Sequence, residues 1–235
     1  MYVGANGRAP GAVSPLPGGY SGAWHTQALV AEVAGIDDPL DERVVREYWT
    51  GGELLDSVDR ADFSVKLLEL IGSHAGHYWG HLTPDLLPEV TATHGFHVFG
   101  VYPWSRLLDS PSEQPLRVLD SCRIRWGQLV AVEDDHLIAR SRRLTWDGCQ
   151  LGLAQPREER VRLMIDGRGF VSDPVPGEWL ALHWDWVCDR LPPADRAHCQ
   201  RWTAGPPRPA HTRPPLAPPA LTVGRPPSCA VGGRR

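Results

Sequence analysis

Two segments of this sequence each place a metal-capable side chain beside strand-like residues. Cys122 stands before Ile124, Trp126 and an apolar stretch, and His183 ends the run that begins at Gly177. A thiolate and an imidazole together suit iron, nickel or zinc. Two protein ligands do not close a structural site, so a metal held here would carry further ligands of its own. If both segments belong to one small barrel, side-chain atoms of Cys122 and His183 should lie within roughly 5 Å and share a metal, and a surface thiol beside a histidine should be reactive. The alternative is a buried thiol and a hydrogen-bonded core histidine.

A cluster of histidines is the alternative metal site. Five of the ten histidines fall between His74 and His97. His77 and His81 are spaced i, i+4, which puts both on one face of a helix, as in helical zinc sites. His94 and His97 could add ligands from the next segment. No Glu lies between His77 and His81 to act as a base, so a metal-dependent enzyme stays an alternative beside plain packing against aromatic neighbours.

The composition bounds the class of protein. The chain has 235 residues, of which 42% are apolar and 22% charged, with a net charge of -4. These values are typical of a globular protein and give no reason to expect a nucleic-acid partner. No apolar run approaches the roughly 18 residues of a membrane span, so no membrane partner is expected. Phosphate-loop, G-x-G-x-x-G and G-x-S-x-G motifs are absent, which favours a non-enzymatic role. The cysteines include no C-x-x-C pair and give no sign of a disulfide framework, which favours a reduced, cytoplasmic setting.

The periodicity divides the chain into four parts. Residues 1–22 show no hydrophobic period and are predicted to be disordered. Residues 23–110 have helical spacing, with Asp38 as a candidate N-cap before the apolar residues up to Trp49, and a further helix near 62–71. Residues 116–202 follow a short linker at 111–115 and alternate with period two, which predicts strands at 137–145, 159–165 and 179–184 and a closing helix at 193–202. Residues 203–235 hold nine prolines, five arginines and no acid, which is typical of a disordered tail. The sequence thus predicts an α+β protein: a helical, His-rich N-terminal region followed by a small OB-like β-barrel with a short C-terminal helix.

Residues 116–202 resemble the small β-barrel of the hydrogenase maturation chaperone family (HypC/HupF). The resemblance lies on Cys122 with its following strand and on Gly-Glu-Trp-Leu-Ala-Leu-His at 177–183. In that family a cysteine opens the first strand and a histidine lies in a late strand, and together they hold an iron carrying cyanide and carbon monoxide. The resemblance implies an accessory protein in [NiFe]-hydrogenase maturation. It would bind a metal fragment (iron, with zinc or nickel as alternatives) through Cys122 and His183, or bind the hydrogenase large-subunit precursor or another maturation protein.

The chain from about residue 23 to 202 is also similar to a bacterial family of uncharacterised proteins. That resemblance lies on residues 93–104 and 118–127 and implies no activity. A metal-free interaction module therefore remains the third alternative.

Overall fold

The computed structural model describes residues 22–75, 90–165 and 167–203. The predicted disordered N-terminus and tail lie almost entirely outside the described residues. His77 and His81 also lie outside them, so the expectation of a shared helical face for these two histidines is not addressed by the structure.

Helices form most of the first hundred described residues. Asp41 caps the second helix, because its carboxylate accepts the backbone N–H of Arg43 at 2.9 Å. The sequence favours Asp38 for this role, but the Asp38 carboxylate accepts the N–H of Leu40 within the preceding turn. The helices are α1 (Gly22–Ala34), α2 (Glu42–Thr50), α3 (Glu53–Asp56), α4 (Arg60–Ala75), α5 (His94–Phe96), α6 (Gln114–Cys122) and α7 (Pro193–Thr203), with a π-helical turn at His97–Val101 and a 3-10 turn at Pro103–Arg106 between α5 and α6.

The second half of the chain forms nine strands in its described part. They are β1 (Arg125–Glu133), β2 (His136–Ser141), β3 (Leu144–Trp146), β4 (Leu151–Leu153), β5 (Arg157–Arg162), β6 (Met164–Ile165), β7 (Arg168–Gly169), β8 (Trp179–His183) and β9 (Trp186–Arg190). Five of these strands close a barrel in the order β1-β2-β5-β9-β8. Only β5 and β9 pair in parallel within it. The apolar side chains of the period-two pattern, among them Leu129, Leu137 and Leu180, fill its interior. The predicted α+β class, with helices before a small OB-like barrel and a closing helix, is confirmed.

The junction between the helical region and the barrel differs from the prediction. Cys122 opens no strand: it is the last residue of α6, and β1 begins only at Arg125. Pro115, Leu119 and Cys122 lie on one buried helical face. The strand predicted at 137–145 is divided between β2 and β3, and the one predicted at 159–165 between β5 and β6.

The helical region and the barrel share a hydrophobic cluster. Val45, Tyr48 and Trp49 of α2 pack in one cluster with Ile124 and with Ala181 of β8. The helical region and the barrel are therefore held together by a common core through α2, Ile124 and β8. None of the described helices has the length and apolar character needed to cross a bilayer.

Candidate metal centre

The carboxyl end of α6 organises the site. The last four carbonyls of a helix lack partners within the helix, so other groups must supply hydrogen-bond donors to them. Each of the four carbonyls here has one. The donors are the Arg123 N–H for Leu119 (3.0 Å), the Arg125 guanidinium for Asp120 (3.2 Å), the Trp184 N–H for Ser121 (2.7 Å) and the His94 imidazole for Cys122 (2.9 Å). Capping of this helix end therefore draws His94 and the segment after His183 towards Cys122.

His94, Cys122 and His183 form one group of candidate ligands. Each offers one ligand atom, and these atoms all lie within 4.8 Å of one another. The Cys122 Sγ lies 3.7 Å from the His94 Nε2. The two imidazole rings are nearly perpendicular, with centroids 5.4 Å apart. The predicted proximity of Cys122 and His183 is thus present, and His94 joins them as a third member.

The turn that follows His183 fixes the position of this histidine. His183 ends β8, and Trp184 adopts a left-handed conformation with φ of 56°. The Trp184 N–H donates to Ser121 of α6, and the Trp184 carbonyl accepts from the Arg125 guanidinium at 2.7 Å. The backbone N–H of Trp184 is therefore tied to α6, which carries Cys122, and its carbonyl to the first residue of β1.

Burial keeps all three groups uncharged at neutral pH. Burial, together with the neighbouring His183 and His97, lowers the pKa of His94 well below its ordinary value. Burial and the nearby Arg125 guanidinium lower the pKa of His183 to about 4. Burial raises the pKa of the Cys122 thiol to about 11. Cys122 is buried and not at the surface as expected, and the raised pKa disfavours the thiolate form on which reactivity depends.

Aromatic residues of α2 form one wall of the site. The Trp49 ring lies 4.4 Å from the His94 ring and 5.4 Å from the His183 ring, measured between centroids. The Tyr48 hydroxyl lies 3.3 Å from the Nδ1 atoms of both His94 and His97. These roles could not be predicted from the sequence, because the apolar spacing of α2 is that of an ordinary amphipathic helix.

A buried ionic network lies next to the site, around the end of α6 and the start of β1. Asp120 accepts hydrogen bonds from the Arg123 side chain, from Arg143 and from the Leu144 N–H. Glu159 pairs with Arg143 and lies 3.5 Å from Arg125. The Arg125 side chain is fully buried, and burial lowers its pKa to about 10, which still leaves it charged near neutral pH. A fixed guanidinium beside His183 disfavours the imidazolium form and so keeps that ring available as a neutral ligand.

One buried nitrogen of the three candidate ligands has no hydrogen-bond partner in the part of the chain that the structure describes. The Nε2 atom of His183 is inaccessible to solvent and has no partner among the described atoms. A buried polar atom without a partner is costly, so such atoms are often found where a ligand binds. The alternative ligand His97 lies outside the group of three, and its own Nε2 atom is likewise buried without a partner.

Comparison with known proteins gives a family but no activity. No curated protein and no solved structure matches the chain. The comparisons therefore lend no support to the resemblance to hydrogenase maturation chaperones, whereas the similarity to an uncharacterised family is confirmed. The model of the Family of unknown function (DUF6390) matches residues 5–206. The chain belongs to this family.

Proposed function

We propose that this protein is a metal-handling accessory protein that binds a transition-metal ion through His94, Cys122 and His183. The observation that carries the proposal is the convergence of three ligand atoms within 4.8 Å. The three residues come from α5, from the end of α6 and from β8. Hydrogen bonds that cap α6 hold them in place without any metal.

The distances fit coordination. Bond lengths near 2.3 Å to sulfur and 2.0 Å to nitrogen place tetrahedral sulfur and nitrogen ligands about 3.6 Å apart. The Cys122 Sγ and His94 Nε2 are separated by 3.7 Å, so little movement is needed at this pair. The unpartnered Nε2 of His183 offers a further lone pair. A thiolate with two imidazoles suits iron, nickel or zinc.

Three protein ligands leave one tetrahedral position open. Structural zinc sites normally use four protein ligands, whereas an open position accepts a ligand from outside the protein. An incomplete ligand set fits a protein that holds a metal ion or metal fragment in passage and gives it up to a partner. We therefore place the metal as cargo and assign no catalytic step to the chain.

We further propose that the cargo is used in [NiFe]-hydrogenase maturation, with the large-subunit precursor or another maturation protein as the partner. This part rests on the sequence resemblance of residues 116–202, and the two segments that carry it supply Cys122 and His183. The closed five-stranded barrel is compatible with it.

Metal titration tests the binding site. Purified protein titrated anaerobically with Co²⁺ should bind one equivalent and develop a sulfur-to-cobalt charge-transfer band. Cys122→Ser should lose that band, and His183→Gln should weaken binding. His136→Gln, which changes a histidine of β2 beside Asp135, is the control and should bind as the wild type does. Unchanged binding by Cys122→Ser would overturn the site, and a wild type that binds no metal would leave the metal-free interaction module as the function.

Two further measurements separate the remaining alternatives. Purified hydrogenase large-subunit precursor should bind the iron-loaded wild type more tightly than iron-treated Cys122→Ser, and no complex at all would remove the hydrogenase part of the proposal. Metal lost on changing both His77 and His81 to Ala, with Cys122→Ser retaining it, would instead support the metal-dependent enzyme.

A further inference from the structure

The hydrogen bonds of His94 define where its ring proton lies. The Nε2 atom is 2.9 Å from the carbonyl oxygen of Cys122. A carbonyl only accepts hydrogen bonds, so Nε2 carries the proton in this arrangement. His94 is buried, and burial favours the uncharged ring, so its Nδ1 atom bears a lone pair.

The Tyr48 hydroxyl links this assignment to His97. The hydroxyl has a single proton and lies 3.3 Å from each of the two Nδ1 atoms. Because the Nδ1 of His94 can only accept, Tyr48 donates to His94 and accepts the Nδ1–H of His97. The Nε2 of His97 then bears a lone pair, which agrees with the absence of a described partner for that buried atom.

Metal binding requires the opposite tautomer of His94. The atom that faces the Cys122 thiol is Nε2, at 3.7 Å from Sγ, and it can coordinate only after losing its proton. A neutral ring must then carry the proton on Nδ1, and a buried N–H requires an acceptor. The Tyr48 oxygen is at hydrogen-bond distance from that atom.

We infer that Tyr48 is a positioning residue whose hydrogen bond with His94 reverses direction when the metal binds, and that His97 orients Tyr48 and is not itself a ligand. This inference rests on the proposed metal site. Histidines that bind metals usually donate their second ring N–H to another group, which fixes the tautomer and the ring orientation. The proton count of His94 is unchanged: its Nε2 proton leaves for solvent and one from solvent arrives at Nδ1. The Tyr48 hydroxyl then accepts from His94 and turns its own proton to the Nδ1 atom of His97, whose ring proton moves through solvent to Nε2 in the same way.

Nuclear magnetic resonance of the ring nitrogens tests the reversal in the wild-type protein. Long-range ¹H–¹⁵N spectra of the metal-free protein should show the His94 proton on Nε2, and spectra of the Zn²⁺-loaded protein should show it on Nδ1. Competition of Zn²⁺ with a chromophoric chelator then measures affinity in variants. Tyr48→Phe should bind Zn²⁺ about 10- to 100-fold more weakly, as found when such supporting hydrogen bonds are removed. Thr50→Val, which removes another buried hydroxyl of α2 whose hydrogen bonds go to the backbone carbonyls of Arg46 and Gly51, should stay close to the wild type.

The outcomes separate the inference from the function on which it rests. Failure of the wild type to bind Zn²⁺ would overturn the metal site and the reversal together, even where the metal-free spectrum shows the proton on Nε2. Binding of Zn²⁺ with the His94 proton still on Nε2, or with full affinity in folded Tyr48→Phe, would overturn the reversal and leave the metal site standing. The wild-type spectra decide the question by themselves if Tyr48→Phe does not fold.

Discussion

Acidification should destabilise this protein because its histidine cluster is buried in neutral form. Burial, with a smaller effect of His25, lowers the pKa of His97 to about 4, and burial lowers that of His183 to about 4. In the unfolded chain both return to about 6.5. Below that value the unfolded state takes up protons that the folded state cannot, so stability is complete above about pH 6.5 and is lost as the pH falls towards about 4.

The size of the effect follows from these values. Linkage between a folded pKa of about 4 and an unfolded pKa of about 6.5 gives a loss of about 2 kcal/mol for each histidine between about pH 7 and pH 5. His97 and His183 together lose about 4 kcal/mol over this range, and His94 shifts in the same direction. Small domains are stable by about 5–15 kcal/mol, so a large fraction of the stability should disappear.

Urea unfolding of the metal-free protein at these two pH values, followed by tryptophan fluorescence, measures the loss. Carboxylates also titrate, so the informative quantity is the difference between the wild type and His97→Gln. This variant should lose about 2 kcal/mol less than the wild type between the two pH values, whatever its stability at pH 7. Val98→Ala shortens a fully buried neighbour without removing a titrating group, so it should keep the wild-type pH dependence. An equal pH dependence in the wild type and His97→Gln would refute the conclusion that burial holds this imidazole neutral.

Three further predictions concern single features of the fold. Arg125→Met should cost about 3–5 kcal/mol in urea unfolding, because it removes the buried ion-pair partner of Glu159 and the donor to the carbonyls of Asp120 and Trp184; a loss below about 1 kcal/mol would show that water replaces the guanidinium. Trp184→Asn should raise the free energy of unfolding by up to about 1 kcal/mol, because Asn tolerates the left-handed backbone that Trp184 adopts at φ of 56°. A decrease in the free energy of unfolding would show that the exposed Trp184 indole makes stabilising contacts that Asn does not replace. In reducing buffer, removal of residues 204–235 should leave the melting temperature unchanged, because a proline-rich segment without acids cannot offset the entropy of ordering itself, and calorimetry showing a lower value would contradict this.

The sequence by itself determined the fold class because most of its elements have regular hydrophobic periods. Strands such as β8 place alternate apolar residues in the barrel, and α2 places Val44, Val45 and Tyr48 on one buried face. The sequence did not predict α6, and the family resemblance placed Cys122 at the start of a strand. The reason is that Asp120, Arg123 and Arg125 are buried in an ionic network, whereas a period analysis assigns charged residues to the surface.

Only the tertiary structure decided the composition of the site. The types of Cys122 and His183 marked them as candidates, since few side chains bind transition metals. His94 lies 28 residues before Cys122. Its neighbours in the sequence are other histidines, so it was assigned to the alternative metal site with His77, His81 and His97. Its contact with Cys122 exists because the end of α6 needs hydrogen-bond donors and the folded chain brings His94 there. Burial in the packed core keeps these side chains uncharged. The spacing of residues in the sequence could not predict that burial.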